Sequence, residues 1–108
     1  MAESKINTNR LSFEVLADFY GTALTVYALS ENASMFELLV FEVTDNENET
    51  CGGYTSHPSN FRDKSVKIYG KDSTQWGLCR VSPDYLSATF NRTSSTTTHV
   101  RLLGLRRV

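Results

Sequence analysis

The sequence predicts an all-β domain, a β-sandwich or jelly-roll-like fold. Three observations predict it: short runs in which apolar and polar residues alternate, their recurrence at intervals of about ten residues, and turn-forming clusters of Gly, Pro, Asn, Asp and Ser between them. The length of 108 residues suits one domain. With 40% hydrophobic and 21% charged residues, the chain has the balance of an ordinary globular protein. Folding at this size buries about 60–70% of the unfolded surface, enough for one core without obligatory metals or disulfides.

Residues 1–10 are polar and are expected to be a flexible tail, leaving 11–108 as a single β-rich domain. Phe13, Val15, Ala17 and Phe19 then alternate with Glu14, Leu16, Asp18 and Tyr20, the period of a half-buried strand. Leu16, Phe19, Tyr20, Ala23 and Leu24 also recur at helical spacing behind a cap at Ser12, so 12–20 stays open between a strand and one short N-terminal helix. Thr22 to Leu29, rich in Thr, Val and Tyr, reads as a strand, and Ser30 to Ser34 as a polar turn. Met35 to Val43 is apolar on both faces, the pattern of a strand inside a sheet or between two layers. From Thr44 to Arg62 no period is visible, and the segment reads as a long loop. Short strands follow at 65–69, 76–81, 85–90 and 99–105, divided by Gly70 to Ser73, by a tight turn at Ser82-Pro83-Asp84 and by the polar run Asn91 to Thr98.

The formal net charge of −1 conceals a division along the chain. Residues 1–50 hold nine acids and two bases, a net of −7, whereas residues 51–108 hold nine bases and three acids, a net of +6. The favoured explanation is that the two halves interleave and their charges meet across neighbouring strands. The other is a basic face for an acidic partner, with Tyr69, Trp76, Tyr85 and Phe90 as stacking platforms. Because the whole chain is slightly acidic, nucleic acid is not the expected partner.

No catalytic constellation is legible. Neither Cys51 nor Cys79 sits in a nucleophile context, and Cys79, between Leu78 and Arg80-Val81, reads as a small core residue. Cys51, His57, Cys79 and His99 are not spaced as zinc ligands, and the acidic run Asp45 to Glu49 lacks the glycine and closing glutamate of a calcium loop. No cofactor or metal site is therefore expected. Two cysteines are too few for a disulfide framework, no signal-peptide pattern opens the chain, and no stretch reaches the roughly 18 apolar residues of a membrane span. Together these point to a cytoplasmic or nuclear protein without a membrane contact.

The run Asn91-Arg92-Thr93-Ser94-Ser95-Thr96-Thr97-Thr98-His99-Val100-Arg101-Leu102-Leu103-Gly104-Leu105 resembles the closing loop and strand of the DOC domains associated with ubiquitin ligases. Those belong to the galactose-binding-like β-sandwich group, and Lys64 to Gly70 is similar to strands in related sandwiches. The resemblance implies a jelly roll with a binding site on loops at one end, and its pattern carries over at Thr98, His99 and Arg101. An acidic residue precedes the Thr in that pattern, whereas position 97 here is Thr, and residues 1–50 have no counterpart in it.

Polar loops on a rigid scaffold are where binding residues concentrate. The expected function is thus a non-enzymatic module that recognises another protein through loops at one end of the sandwich. The loop residues Tyr54, His57, Asn60, Phe61 and Arg62 form one candidate group, and Asn91, Arg92, Thr98, His99 and Arg101 the other. The alternative is a module for carbohydrate or single-stranded nucleic acid.

Overall fold

The computed structural model describes residues 11–21, 24–45, 49–69, 75–92 and 98–107. The expected N-terminal tail lies outside the described residues, as do the tip of the acidic run and residues 93–97 of the second polar loop. Among the described residues eight strands follow in chain order: β1 (Leu11–Gly21), β2 (Leu24–Ala28), β3 (Leu38–Asp45), β4 (Glu49–Ser56), β5 (Val66–Tyr69), β6 (Gln75–Val81), β7 (Ser87–Asn91) and β8 (Thr98–Arg107). They build two four-stranded sheets, ordered β1-β8-β3-β4 and β2-β7-β6-β5, with every neighbouring pair antiparallel. The first strand lies against the last and the second against the seventh, as in a jelly roll, while β3–β4 and β5–β6 are local hairpins.

Residues 12–20 are strand, which closes the choice between strand and helix. The expected single buried face of Phe13, Val15, Ala17 and Phe19 is corrected by a bulge: the register with β8 shifts between Val15 and Ala17. Leu16 is the extra residue, and a bulge turns everything beyond it to the other face. Leu16 and Ala17 are both buried, Phe19 points inward, and Phe13 and Val15 point outward into solvent. The bulged segment is anchored from the opposite sheet side, where the Ser30 N–H donates to the Leu16 carbonyl at 3.0 Å and its hydroxyl to the Val15 carbonyl at 3.2 Å.

The segment 44–62, expected as one long loop, is mostly ordered as strand. β4 pairs with β3 from Leu39 opposite Ser56 to Asp45 opposite Glu49. Its own pattern could not announce this, because Gly52 and Gly53 carry no side chain. They are needed for close approach: a Cβ on Gly53 would sit 2.9 Å from the Phe41 carbonyl oxygen, and one on Gly52 would collide with the Tyr69 carbonyl of β5. β3 lies inside its sheet, between β8 and β4, as its two apolar faces require.

The core lies between the sheets. Leu39, Phe41 and Val43 of β3 and Val100 and Leu102 of β8 meet Ile68, Cys79, Val81, Ala88 and Phe90 from the other layer. Gly104 continues the inward row of β8, and Phe36 fills the space its missing side chain leaves.

The acidic and basic halves do interleave. The basic strand β8 runs between β1 and β3, both from the acidic half. Arg106 reaches Glu14 at 2.5 Å and Glu31 at 3.0 Å, Arg107 reaches Glu37 at 3.3 Å, and Arg101 lies 3.5 Å from Glu42 and 3.8 Å from Asp18. All are partly exposed, so water screens them and each contributes little to stability.

A Cβ at Gly104 would stand 2.5 Å from the Phe36 ring, which is itself buried. Gly104→Ala is therefore expected to cost about 1–3 kcal/mol, read as a fall in Tm of about 4–8 °C per kcal/mol in a thermal melt. An unchanged Tm would show that Phe36 can move aside freely.

Candidate functional site

At one end of the sandwich three connections converge: 29–37, which includes a 3₁₀ turn at Ala33–Met35, then 57–65, with a second 3₁₀ turn at Pro58–Asn60, and 82–86. Each turn is built by a local side-chain bond. Asn32 caps the first, its Oδ1 accepting from the Ser34 N–H at 2.9 Å and the Ser34 hydroxyl at 2.6 Å. His57 caps the second, with Nδ1 accepting from the Ser59 N–H at 3.2 Å. In the third, the Ser82 hydroxyl bonds Asp84 at 2.5 Å and the Leu86 N–H donates to the same carboxylate at 3.1 Å. Those two bonds, the hydroxyl first, hold the Asp84 carboxyl below its ordinary range. This is the tight turn expected at Ser82-Pro83-Asp84, and Tyr85 completes it with a φ of 63°.

The three connections are also tied to one another. The Ala33 N–H donates to the Tyr85 carbonyl at 3.0 Å and the Leu29 N–H to the Leu86 carbonyl at 2.9 Å. Arg62 Nε donates to the Pro83 carbonyl at 2.8 Å, with its guanidinium 5.7 Å from the centre of the Tyr85 ring. The Val81 N–H donates to the Phe61 carbonyl at 2.9 Å. These bonds tie the loop backbones to one another and to the ends of the strands they connect. On it stand two large apolar side chains that point into solvent, Met35 at 61% exposure and Leu86 at 51%.

The sequence-predicted residues do not form one site. His57, Asn60, Phe61 and Arg62 belong to the end just described, Tyr54 sits within β4 opposite Phe41, and Asn91, Arg92 and Thr98 lie at the opposite end. Phe61 is fully buried, packing edge-on against Phe41 at 5.1 Å and Tyr54 at 5.7 Å, so the ring is part of the core. Asn60 Nδ2 donates to the Ser56 hydroxyl at 2.7 Å, and His57 is engaged as a cap. Thr98 is buried and accepts from Arg92 Nη1 at 2.6 Å. Asn91 ends β7 in an exposed position.

His99 and Arg101 lie on the outward face of β8, within the strand expected at 99–105. His99 bonds Asp18 and stacks on Tyr20, ring centres 4.6 Å apart. Arg101 stands between Asp18 and Glu42. The sequence pattern missed Asn32, Met35, Asp84 and Leu86. For Asn32 and Asp84 a signal existed, since Asn-x-Ser and Ser-Pro-Asp favour side-chain-capped turns. For Met35 and Leu86 none did, because exposure is a property of the packed structure.

Two further features bear on chemistry. An open groove of about 380 Å³ separates the edges of β1 and β2, lined by Leu16, Ala17 and Asp18 on one side and Tyr27 to Ser30 on the other. No group of three or more His, Cys, Asp and Glu able to hold a metal ion occurs among the described residues, and no helix among them is long and apolar enough to cross a membrane. Comparison with protein-family models, curated proteins and solved structures finds no match.

Cys79 is buried in the core, as its neighbours in sequence predict, and burial pushes its thiol up to about 12. The side chain of Cys51 lies outside the described residues. Folded protein should resist alkylation at Cys79 at mildly alkaline pH, because the thiolate is the reactive form. Between the ordinary value of 9.0 and about 12 the unfolded chain loses the thiol proton and the folded chain keeps it. The unfolded state then binds fewer protons, so stability falls as pH rises through that window and is fully present below it. Cys79→Ala should remove that part of the alkaline loss, as measured by denaturant melts from pH 8 to pH 11.

Proposed function

We propose that the protein is a non-enzymatic binding module that recognises another protein through the three connections at one end of the sandwich. One observation carries this reading. Met35 and Leu86 stand largely in solvent on loops locked together by backbone bonds. Apolar side chains on a pre-ordered surface bind without the entropy cost of ordering a loop. Arg62, held across the Pro83 carbonyl beside Tyr85, supplies a fixed polar group at their margin, and aromatic and Arg residues are enriched at such contacts. The resemblance to DOC domains also implies a site on loops at one end, but the residues that carry it, Thr98, His99 and Arg101, lie at the opposite end and on the outward face of β8. Relative to the expectation from sequence, the contact elements become 29–37, 57–65 and 82–86, with Phe61 supporting the site from beneath.

Met35→Glu and Leu86→Glu should each abolish capture of a partner by cross-linking from cell extract while leaving Tm within about 2–3 °C, the usual range for surface changes. Leu24→Glu, at the opposite end, should capture as the wild type does. Phe61→Ala should instead lose about 3–5 kcal/mol of stability, as for any buried aromatic ring. Capture that survives both glutamate variants would place the contact elsewhere.

A further inference from the structure

The outward face of the β1-β8-β3-β4 sheet is organised in rows that cross the strands. Nearest the end with the three described connections, Phe13, Leu105 and Leu38 share one row, and Val15, Leu103, Val40 and Thr55 the next. Beyond the bulge come Asp18, Arg101 and Glu42, then Tyr20, His99 and Thr44. Across three strands the first two rows are wholly apolar, with Phe13 at 64% and Val15 at 50% exposure. The same stretch of β3 and β8 turns Leu39, Phe41, Leu102 and Gly104 to the core. Strands apolar on both faces are the mark of a sheet covered on both sides, yet the sandwich covers this one only from within.

We propose that a second copy of this chain covers the face, two β1-β8-β3-β4 sheets stacking outer face to outer face about a twofold axis. The size of the face suits that partner. Four strands about 4.8 Å apart and about ten residues long at about 3.3 Å each give a footprint of about 600 Å², of which the two apolar rows fill about a third, against the roughly 800 Å² of apolar core and polar rim that each partner contributes to a standard interface. The margins suit it too. The apolar rows are framed by the Arg107–Glu37 pair on one side and by Arg101 between Asp18 and Glu42 on the other. These charges are already paired within the sheet. A partner chosen by charge would have to break them, whereas a surface of the same build, apolar in the same two rows with paired charges at their margins, closes over the rows without stranding a charge. A face that meets its own copy closes as a dimer and leaves no complementary patch for further growth. This inference is independent of the loop-borne contact, and Met35 and Leu86 play no part in it.

Sedimentation velocity of the full chain over a roughly hundredfold range of concentration tests it. A dimer is expected for the wild type, with a Tm that rises with concentration as linkage requires. Phe13→Glu and Val15→Glu should each be monomeric with an unchanged circular dichroism spectrum, since both side chains stand in solvent in the single chain. Val26→Glu, equally exposed at 63% on the other sheet, should remain dimeric. A wild-type chain that stays monomeric at the highest concentration overturns the proposal, including one whose Phe13 face holds a different protein. So does a dimer that survives both glutamate variants or dissociates with Val26→Glu.

Discussion

The insertion of β8 between β1 and β3 is the constraint on which the sandwich depends. Without it the first sheet is reduced to an isolated β1 and the β3–β4 hairpin, and the inward row of Val100, Leu102 and Gly104 has no place in the core. The pairing of Leu11 with Arg107 joins opposite ends of the described chain, so much chain entropy is lost before these contacts reward it. What fixes the register is the alternation of β8 itself, since a slip of one residue would turn Val100 and Leu102 to solvent and Arg101 into the core. The ion pairs of Arg101 with Asp18 and Glu42 and of Arg107 with Glu37 reinforce that choice on the outer side, and Arg106 meets Glu14 at the end of the inward row. Each is worth little alone, but all are made in one register, and they join Arg101, Arg106 and Arg107 of the basic half to Glu14, Asp18, Glu31, Glu37 and Glu42 of the acidic half.

A single extra residue, Leu16, divides the outer face of the same sheet. Below it β1 presents Phe13 and Val15 outward, and beyond it Asp18 and Tyr20. The boundary between apolar and charged rows on β8 and β3 falls at the same height, between Leu103 and Arg101 and between Val40 and Glu42. The bulge thus aligns a feature of β1 with a change of composition on two other strands. It also leaves the two sides of the sandwich unequal. On one, Gly52 lets β4 press against the β5 backbone, while on the other an open groove remains between β1 and β2.

The end with three connections follows a different logic, because its order comes from polar groups more than from apolar packing. Asn32, His57, Ser82 and Asp84 each close a turn with a side chain, and backbone bonds then join the turns. In the proposed function this order has a consequence: it would hold the backbone positions of Met35 and Leu86 in place for a partner, and truncating either side chain leaves the hydrogen-bonded mesh beneath it intact.

By itself the sequence determined the fold class, the approximate strands in its second half, the interior position of β3, the Pro83-Asp84 turn and the burial of Cys79. These follow from local patterns: alternation, turn chemistry and apolar neighbours act within a few residues. Only the tertiary structure decided the rest. β4 has glycines where a pattern would show, and its strand exists because β3 and β5 approach that closely. The bulge at Leu16 is invisible in the alternation of β1, since the shift is defined against β8, whose residues lie far along the chain. Phe61 and Thr98 read as loop residues open to a ligand and His99 as a strand residue free to bind one, yet Phe61 is core, Thr98 is a buried hydroxyl and His99 is bonded to Asp18. The physical reason is common to all of them. Sequence period records which side a residue faces relative to its neighbours, whereas burial and exposure depend on what the other strands bring to that side.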